Sequence, residues 1–320
     1  MKNKIILVGG DPNSINSEII YKSWKKLDKN IKKKIYLIGS YNLFKQQFKK
    51  LKIKLKISKL THINQEVKDV NLKIIDINLN FKNCFNVNQK YAKKYVLKCL
   101  DLAHILSKKN EVLGLINCPI NKKLLSNKNA GVTEYFAAKC KIPKNTEVMV
   151  IYNQKISVVP ITTHIKIKNV SNKISLKLLI RKVLTLNKEF KKIFNKKPKI
   201  GMLGLNPHNN EFSKNSEELK KIIPAIMKLK KKGISIKGPL VADTIFINYY
   251  KNYDVLVGMY HDQVLAPFKA LFHFNAINLT LGLKYLRLSP DHGPAYDIVG
   301  KNLADETSLI QCFKFLNNFK

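Results

Sequence analysis

Arginine is nearly absent from this 320-residue sequence: of 59 basic residues only Arg181 and Arg287 are arginine. Direct base readout and bidentate phosphate recognition lean on arginine. Its scarcity therefore argues against a nucleic-acid partner, although the formal net charge is +38. The lysines run along the whole chain beside abundant Asn and Ile, a pattern of A- and T-rich codons expressed at solvated positions. A polyanion-binding protein would rest on that charge alone. Acids are also scarce, 21 in all, so each acid and each arginine carries more information than usual. The five cysteines are odd in number, widely spaced and without a C-x-x-C. This suggests neither a disulfide framework nor a zinc ribbon and fits a reducing cytoplasm. Long apolar runs are missing too. Stretches such as Ile5 to Val8 and Ile151 to Pro160 fall far below the ~20 residues of a membrane helix, and the first ten residues lack a cleavage site, so a buried first strand is expected rather than a signal peptide.

What is present is an ordinary globular composition, 45% hydrophobic and 25% charged, long enough for one large or two modest domains. Lys4 to Val8, Lys34 to Ile38, Leu72 to Ile77, Val112 to Asn117, Val148 to Tyr152, Ile156 to Pro160, Ile200 to Leu205 and Val255 to Met259 read as strands. Glu18 to Leu27, Asn88 to Ser107, Ser175 to Phe190 and Ser216 to Lys232 carry the 3.6-residue period of helices. Such alternation predicts parallel sheets covered by helices on both faces, a three-layer α/β architecture. The chemistry-bearing residues concentrate in the middle of the chain, which predicts a discontinuous first domain (1–129 with 282–320), a second domain (130–281) and a cleft between them.

Three histidines follow predicted strands in turn-like settings: His164 in Pro160-Ile-Thr-Thr-His, His208 in Leu205-Asn-Pro-His and His261 in Met259-Tyr-His-Asp-Gln. Loops at the carboxyl ends of strands form the ligand crevice in open α/β sheets. Three imidazoles there can hold one divalent cation and leave positions for substrate. Nitrogen ligation favours zinc, cobalt or nickel, and substrate oxygens would admit magnesium or manganese. Together with His292, these three histidines fall in segments that also hold the scarce acids Glu211, Asp262, Asp291 and Asp297, and Glu211 and Asp262 are candidates to orient the rings. His62, His104 and His273 lack such company and read as structural. Lys269, Asn278 and Arg287 form a spaced group suited to a phosphate or carboxylate, implying a small anionic substrate. The loop from Gly9 to Glu18 sits where a phosphate cradle would, without a nucleotide fingerprint. A turn capped by Asp11 or Ser17 is the plainer reading.

Taken in order, Gly10-Asp-Pro, Cys118-Pro-Ile-Asn-Lys122, Gly131-Val-Thr-Glu134, Thr162-Thr-His164, Leu205-Asn-Pro-His208, Gly238-Pro-x-x-x-Asp243-Thr, Tyr260-His-Asp-Gln263 and Arg287-x-Ser-x-Asp-His-Gly293 resemble the 4-hydroxythreonine-4-phosphate dehydrogenase family. The resemblance spans nearly the whole chain. It implies two α/β/α domains like those of isocitrate and isopropylmalate dehydrogenases, and a homodimer with sites shared between subunits. It further implies NAD or NADP, with one divalent ion (zinc, cobalt, magnesium or manganese) held by His164, His208 and His261, one of them from across the dimer. Substrate contacts would be Thr133, Lys269, Asn278 and Arg287; Asp243 and Lys122 would move or orient protons; Asp291, His292 and Gly293 would face the cofactor. The implied reaction oxidises 4-phosphooxy-L-threonine to a 2-amino-3-oxo acid that loses CO2, a step toward pyridoxal phosphate. The expected partners are this small substrate and a second copy, without nucleic acid or membrane.

The chain also departs from the family pattern. Val132 stands where the family has His, the first loop reads Asn13-Ser14-Ile15-Asn16-Ser17 where the family has Ala-Gly-Ile-Gly-Pro, and Pro294 replaces Thr. Valine cannot hydrogen-bond an anion. A sibling dehydrogenase acting on a 4-phosphotetronate or a carboxylated dihydrodiol is therefore the alternative, with a three-histidine hydrolase further off.

Overall fold

The computed structural model describes residues 3–65, 67, 70–125, 131–143 and 145–319. Its strands are β1 (Lys4–Val8), β2 (Ile35–Gly39), β3 (Ile57–Leu60), β4 (Leu72–Asp76), β5 (Val112–Asn117), β6 (Val148–Tyr152), β7 (Ser157–Thr162), β8 (Ile200–Leu203), β9 (Ile236–Leu240), β10 (Val255–Tyr260), β11 (Ile277–Leu281) and β12 (Arg287–Pro290). The chain divides into two compact units, Met1–Cys140 with Lys284–Lys320, and Lys141–Leu283.

In the first unit the strands run β3-β4-β2-β1-β5-β12, all parallel. Ile5, Ile6, Leu7 and Val8 are wholly buried, as a strand covered on both faces requires. Strand order reverses direction about β1 and β5, so the loops after these two strands flank a topological switch point, the usual ligand crevice of such sheets. Helix starts here follow local chemistry. Asp28 accepts from the Ile31 amide at 2.8 Å and Ser40 from the Leu43 amide at 3.3 Å.

One buried lysine of this unit makes a testable point. Lys73 on β4 is 9% exposed. Its ammonium donates to the Lys33 carbonyl and lies 3.9 Å from the Tyr36 ring centroid. Burial, aided by Lys4, lowers its pKa from 10.5 to about 8. Between those values the unfolded chain binds more protons than the folded one, so this group makes stability rise with pH across that window. Lys73→Met is expected to abolish that slope and to add about 1 kcal/mol of stability at pH 7. Urea unfolding at pH 7 and at pH 9.5 checks both.

The second unit orders its strands β11-β6-β7-β10-β8-β9. Here the parallel expectation needs correction: β6 is antiparallel to both β11 and β7, and only β7, β10, β8 and β9 are mutually parallel. The hairpin from β6 to β7 needs only a short turn, which a parallel pair cannot use. A core of Met149, Ile151, Val158, Leu203, Leu256 and Phe268 with their neighbours fills this unit. No helix among the described residues is long and apolar enough to cross a membrane.

Candidate functional site

In the second unit the four parallel strands deliver the candidate groups at their carboxyl ends. β7 leads to His164, β10 to His261, β8 to His208 and β9 to Asp243. Because β7 and β10 are neighbours in register, Tyr260 beside Thr162, the residues just beyond them meet: the His164 and His261 rings lie 5.8 Å apart, centroid to centroid. The Thr162 hydroxyl, donating to the Met259 carbonyl at 2.7 Å, stitches the two strand ends together.

His261 opens the helix His261–Phe272 rather than a turn, a correction to its sequence setting. The apolar positions Val264, Leu265 and Phe268 drive that helix into the core in spite of Pro267. The His261 Nδ1 lies 2.6 Å from the Asp262 carboxylate, a partner of the kind that selects a ring's tautomer and orientation. His208 stands apart from this pair. Among the described residues no three His, Cys, Asp or Glu side chains gather closely enough to hold an ion. His208 begins a run, His208 to Phe212, in which five consecutive residues have positive φ. His and Asn tolerate that region; Glu and Phe do not, at about 1–2 kcal/mol per residue. Glu211 lies in this run and is exposed, whereas Asp262 meets an imidazole.

Asp243 is exposed on the short helix Ala242–Ile245. Lys269, on the helix of His261, has its ammonium 5.6 Å from the Phe274 ring centroid. Asn278 on β11 keeps a buried Oδ1 without a hydrogen-bond partner, an acceptor suited to an incoming donor.

In the first unit Arg287 is 3% exposed at the start of β12. Its Nε donates to the Asn117 Oδ1 at 2.7 Å and its Nη1 to the Thr133 Oγ1 at 3.2 Å. Burial lowers its pKa to about 10, opposed by the nearby Glu134 carboxylate; the cation persists at neutral pH. Thr133 lies in the first turn of the helix Val132–Lys139, directly after half-buried Val132. Lys122 is exposed in the single turn Lys122–Leu124 that follows β5.

The loop after β1 differs from both sequence readings. Ile15 is the N-cap of the helix Asn16–Lys26, and neither Asp11 nor Ser17 caps it. Asp11 instead accepts from the Asn13 amide at 2.9 Å. The loop is buried, and the Asn16 amide is spent on the Gly9 and Pro119 carbonyls, both at 2.9 Å. It is a closed turn, not an open cradle. The segment after β12 packs on it: Ile15 N donates to the Pro294 carbonyl at 3.3 Å and the Tyr296 hydroxyl to Asp11 at 2.6 Å. Asp291 there is buried, its amide donating to the Ser308 hydroxyl at 2.9 Å. His292 Nδ1 lies 3.0 Å from the Gly293 carbonyl, and open space lies where a Gly293 side chain would stand. A flat ligand can approach main chain of that kind closely.

Two imidazoles at this separation, one oriented by a carboxylate, fit two corners of a site for zinc or a similar cation. The groups sequence reasoning missed are polar residues that hold others. Asn117 holds Arg287, and Gln263 joins the β10 end to Gly204 by accepting from Met259 N at 2.6 Å and donating to the Gly204 carbonyl at 2.7 Å. His104, read as structural, indeed sits with its Nδ1 2.8 Å from the Tyr285 hydroxyl.

The family described as pyridoxal phosphate biosynthetic protein PdxA matches residues 31–316. The 4-hydroxythreonine-4-phosphate dehydrogenase of Sulfurihydrogenibium sp. (strain YO3AOP1) is 39% identical over 316 residues, 96% of this chain and 95% of that protein. The protein of the same name from Aquifex aeolicus is 37% identical over 324 residues, 99% of this chain and 98% of its own length. The crystal structure of the Klebsiella pneumoniae protein of that name superposes with a TM-score of 0.84 at 25% identity, covering 99% of both chains. Isocitrate dehydrogenase from Methylococcus capsulatus, at 11% identity and a TM-score of 0.50 over 99% of this chain and 85% of that one, shares the fold. The α/β fold expected from the sequence is thereby established.

Proposed function

Since the chain belongs to the PdxA family of pyridoxal phosphate biosynthetic proteins and is a dehydrogenase-family enzyme, we propose that it oxidises 4-phosphooxy-L-threonine with NAD or NADP and a divalent cation. The product, 2-amino-3-oxo-4-phosphooxybutanoate, loses CO2 to give 3-amino-2-oxopropyl phosphate. The observation that carries the reading is the pairing of His164 with His261 at the ends of neighbouring parallel strands, one ring oriented by Asp262.

These two imidazoles would hold the cation, with His208 as the third ligand. A homodimer in which a second copy supplies one ring accords with the separation of His208 from the pair within one chain. A bound divalent ion would supply Lewis-acid polarisation of the substrate oxygens, and the nicotinamide would accept hydride. The protein's own groups bind and orient. Arg287, fixed by Asn117, presents a rigid charged fork to an anionic group, with Thr133, Lys269 and the open acceptor of Asn278 as further contacts. Asp243 and Lys122, both solvent-accessible, would exchange protons with water or substrate. Asp291, His292 and Gly293 would face the nicotinamide cofactor. The setting is the cytoplasm.

The second reading, a sibling dehydrogenase for a 4-phosphotetronate or a carboxylated dihydrodiol, is favoured by one feature: Val132 begins the helix that carries Thr133. Following NAD and NADP reduction with 4-phosphooxy-L-threonine and with 4-phosphoerythronate separates the two. Turnover of the amino acid, with CO2 released, is expected. Turnover of the tetronate alone would replace the first reading by the second, and activity without nicotinamide would overturn both.

A further inference from the structure

Glu218 is wholly buried, and the hydrogen bonds of its carboxylate all go to one place. Its Oε1 accepts from the backbone amides of Leu205 at 2.8 Å and Asn206 at 2.9 Å, and its Oε2 from the Asn206 side-chain amide at 3.0 Å. That same Asn206 nitrogen donates to Glu217 at 3.0 Å, and Glu217 in turn accepts from the Ser171 hydroxyl. A buried carboxylate is costly unless its lone pairs are filled, and here they are filled by main chain from the segment between β8 and His208. None of these bonds reaches another strand.

Two further features locate the effect. A side chain at Gly204 would stand 2.0 Å from the Asn209 Oδ1 and 3.1 Å from the Glu218 Oε1, so the main chain lies directly against the carboxylate. On its other side the Gly204 carbonyl accepts from Gln263, two residues after His261. Gly204 is thus gripped between Glu218 and the helix that carries His261. Immediately beyond, the chain enters the left-handed run from His208 to Phe212, a conformation that needs anchoring from outside. Glu218 itself begins a π-helical turn, Glu218–Ile222, an irregularity that recurs at functional sites.

We infer that Glu218 is a positioning residue for His208, holding the 205–206 main chain so that this imidazole is aimed for metal binding without touching the ion. The inference rests on the reading of His208 as a ligand and deepens it. The test is a double-mutant cycle on the full-length protein, read by Co(II) titration and the visible absorption of the bound ion. Glu218→Ala is expected to weaken Co(II) binding roughly 10-fold or more, the range found for groups that orient ligands, and to shift the absorption bands. Glu218→Gln, which keeps an oxygen for the two backbone amides, is expected to recover most of that loss. In the His208→Ala background Glu218→Ala should have no further effect on Co(II) affinity. Additive losses in the double variant would overturn the inference and assign Glu218 to general stability. Unchanged Co(II) affinity in His208→Ala alone would instead refute the ligand reading beneath it. If Glu218→Ala does not fold, the cycle is run with Asn206→Ala, which removes the side-chain donor to the Glu218 Oε2; the same coupling through His208 is expected and its absence has the same force.

Discussion

His261→Ala is expected to lower kcat/KM by more than about 100-fold and to strip the protein of tightly bound divalent cation. Groups that only orient a ligand are worth about 10–100-fold, and a ring that is itself a ligand must exceed that. The geometry sharpens the expectation. His261 lies 5.8 Å from His164, centroid to centroid, and its Nδ1 is engaged by Asp262. Asp262→Asn should therefore cost less, about 10-fold, because the ring remains while its orientation weakens. Metal content after dialysis and steady-state kinetics, measured together on the two variants and on His164→Ala, provide the check. A His261→Ala protein with wild-type turnover would remove the metal from the proposed reaction.

Arg287→Lys is the second large effect, despite conserving charge. The guanidinium spans two fixed acceptors, Asn117 and Thr133, while 3% exposed. A lysine nitrogen cannot reproduce that planar fork. The Asn117 Oδ1, itself buried, would lose its donor, which costs about 1–3 kcal/mol of stability. The anionic group of the proposed substrate would meet a point charge in place of a planar, oriented guanidinium. An approximately 100-fold fall in kcat/KM is expected, equivalent to about 2.7 kcal/mol of transition-state stabilisation, together with a lower unfolding midpoint. Asn117→Ala separates the two contributions: it leaves the cation but frees its orientation, so its kinetic loss should be smaller than that of Arg287→Lys. Equal kcat/KM in Arg287→Lys and the parent would show that the fork has no part in binding.

The contrast between these residues and Glu218 explains what could be read before the fold was known. Ile5 to Val8 and Val112 to Asn117 are continuous apolar runs, the mark of strands buried on both faces, and they form β1 and β5. β3, with Ser58 and Lys59 in its centre, and β9, containing Lys237, Gly238 and Pro239, give no such mark. The helix Thr307–Asn318 buries Leu309, Cys312, Phe313 and Leu316 at helical spacing, but the strand before it, β12, is only four residues long and begins with Arg287, so strand–helix alternation is faint there. The antiparallel β6 was hidden for another reason: strand direction depends on connection geometry, which residue pattern does not encode. At the site, the position of His164 and His261 just past strands was enough to suggest that they meet. The main chain at His208 enters five left-handed residues, of which only His208, Asn209 and Asn210 are types that favour that region. Glu218 looks in sequence like an acid in the first turn of an amphipathic helix. Its actual partners lie twelve and thirteen residues earlier, in a loop. Polar residues whose partners are distant in sequence leave no periodic signal.

The first unit is assembled from two separated stretches, and β12 closes its sheet by pairing with β5. A ribosome therefore delivers the whole of Lys141–Leu283 before β5 receives its last neighbour, an interval of roughly 7–30 s at synthesis rates of about 5–20 residues per second. Throughout it the nascent polypeptide carries an open strand edge, while the contiguous unit behind it can already condense. The first-made strands of this sheet thus wait on the last-made one only for the pairing that covers the β5 edge.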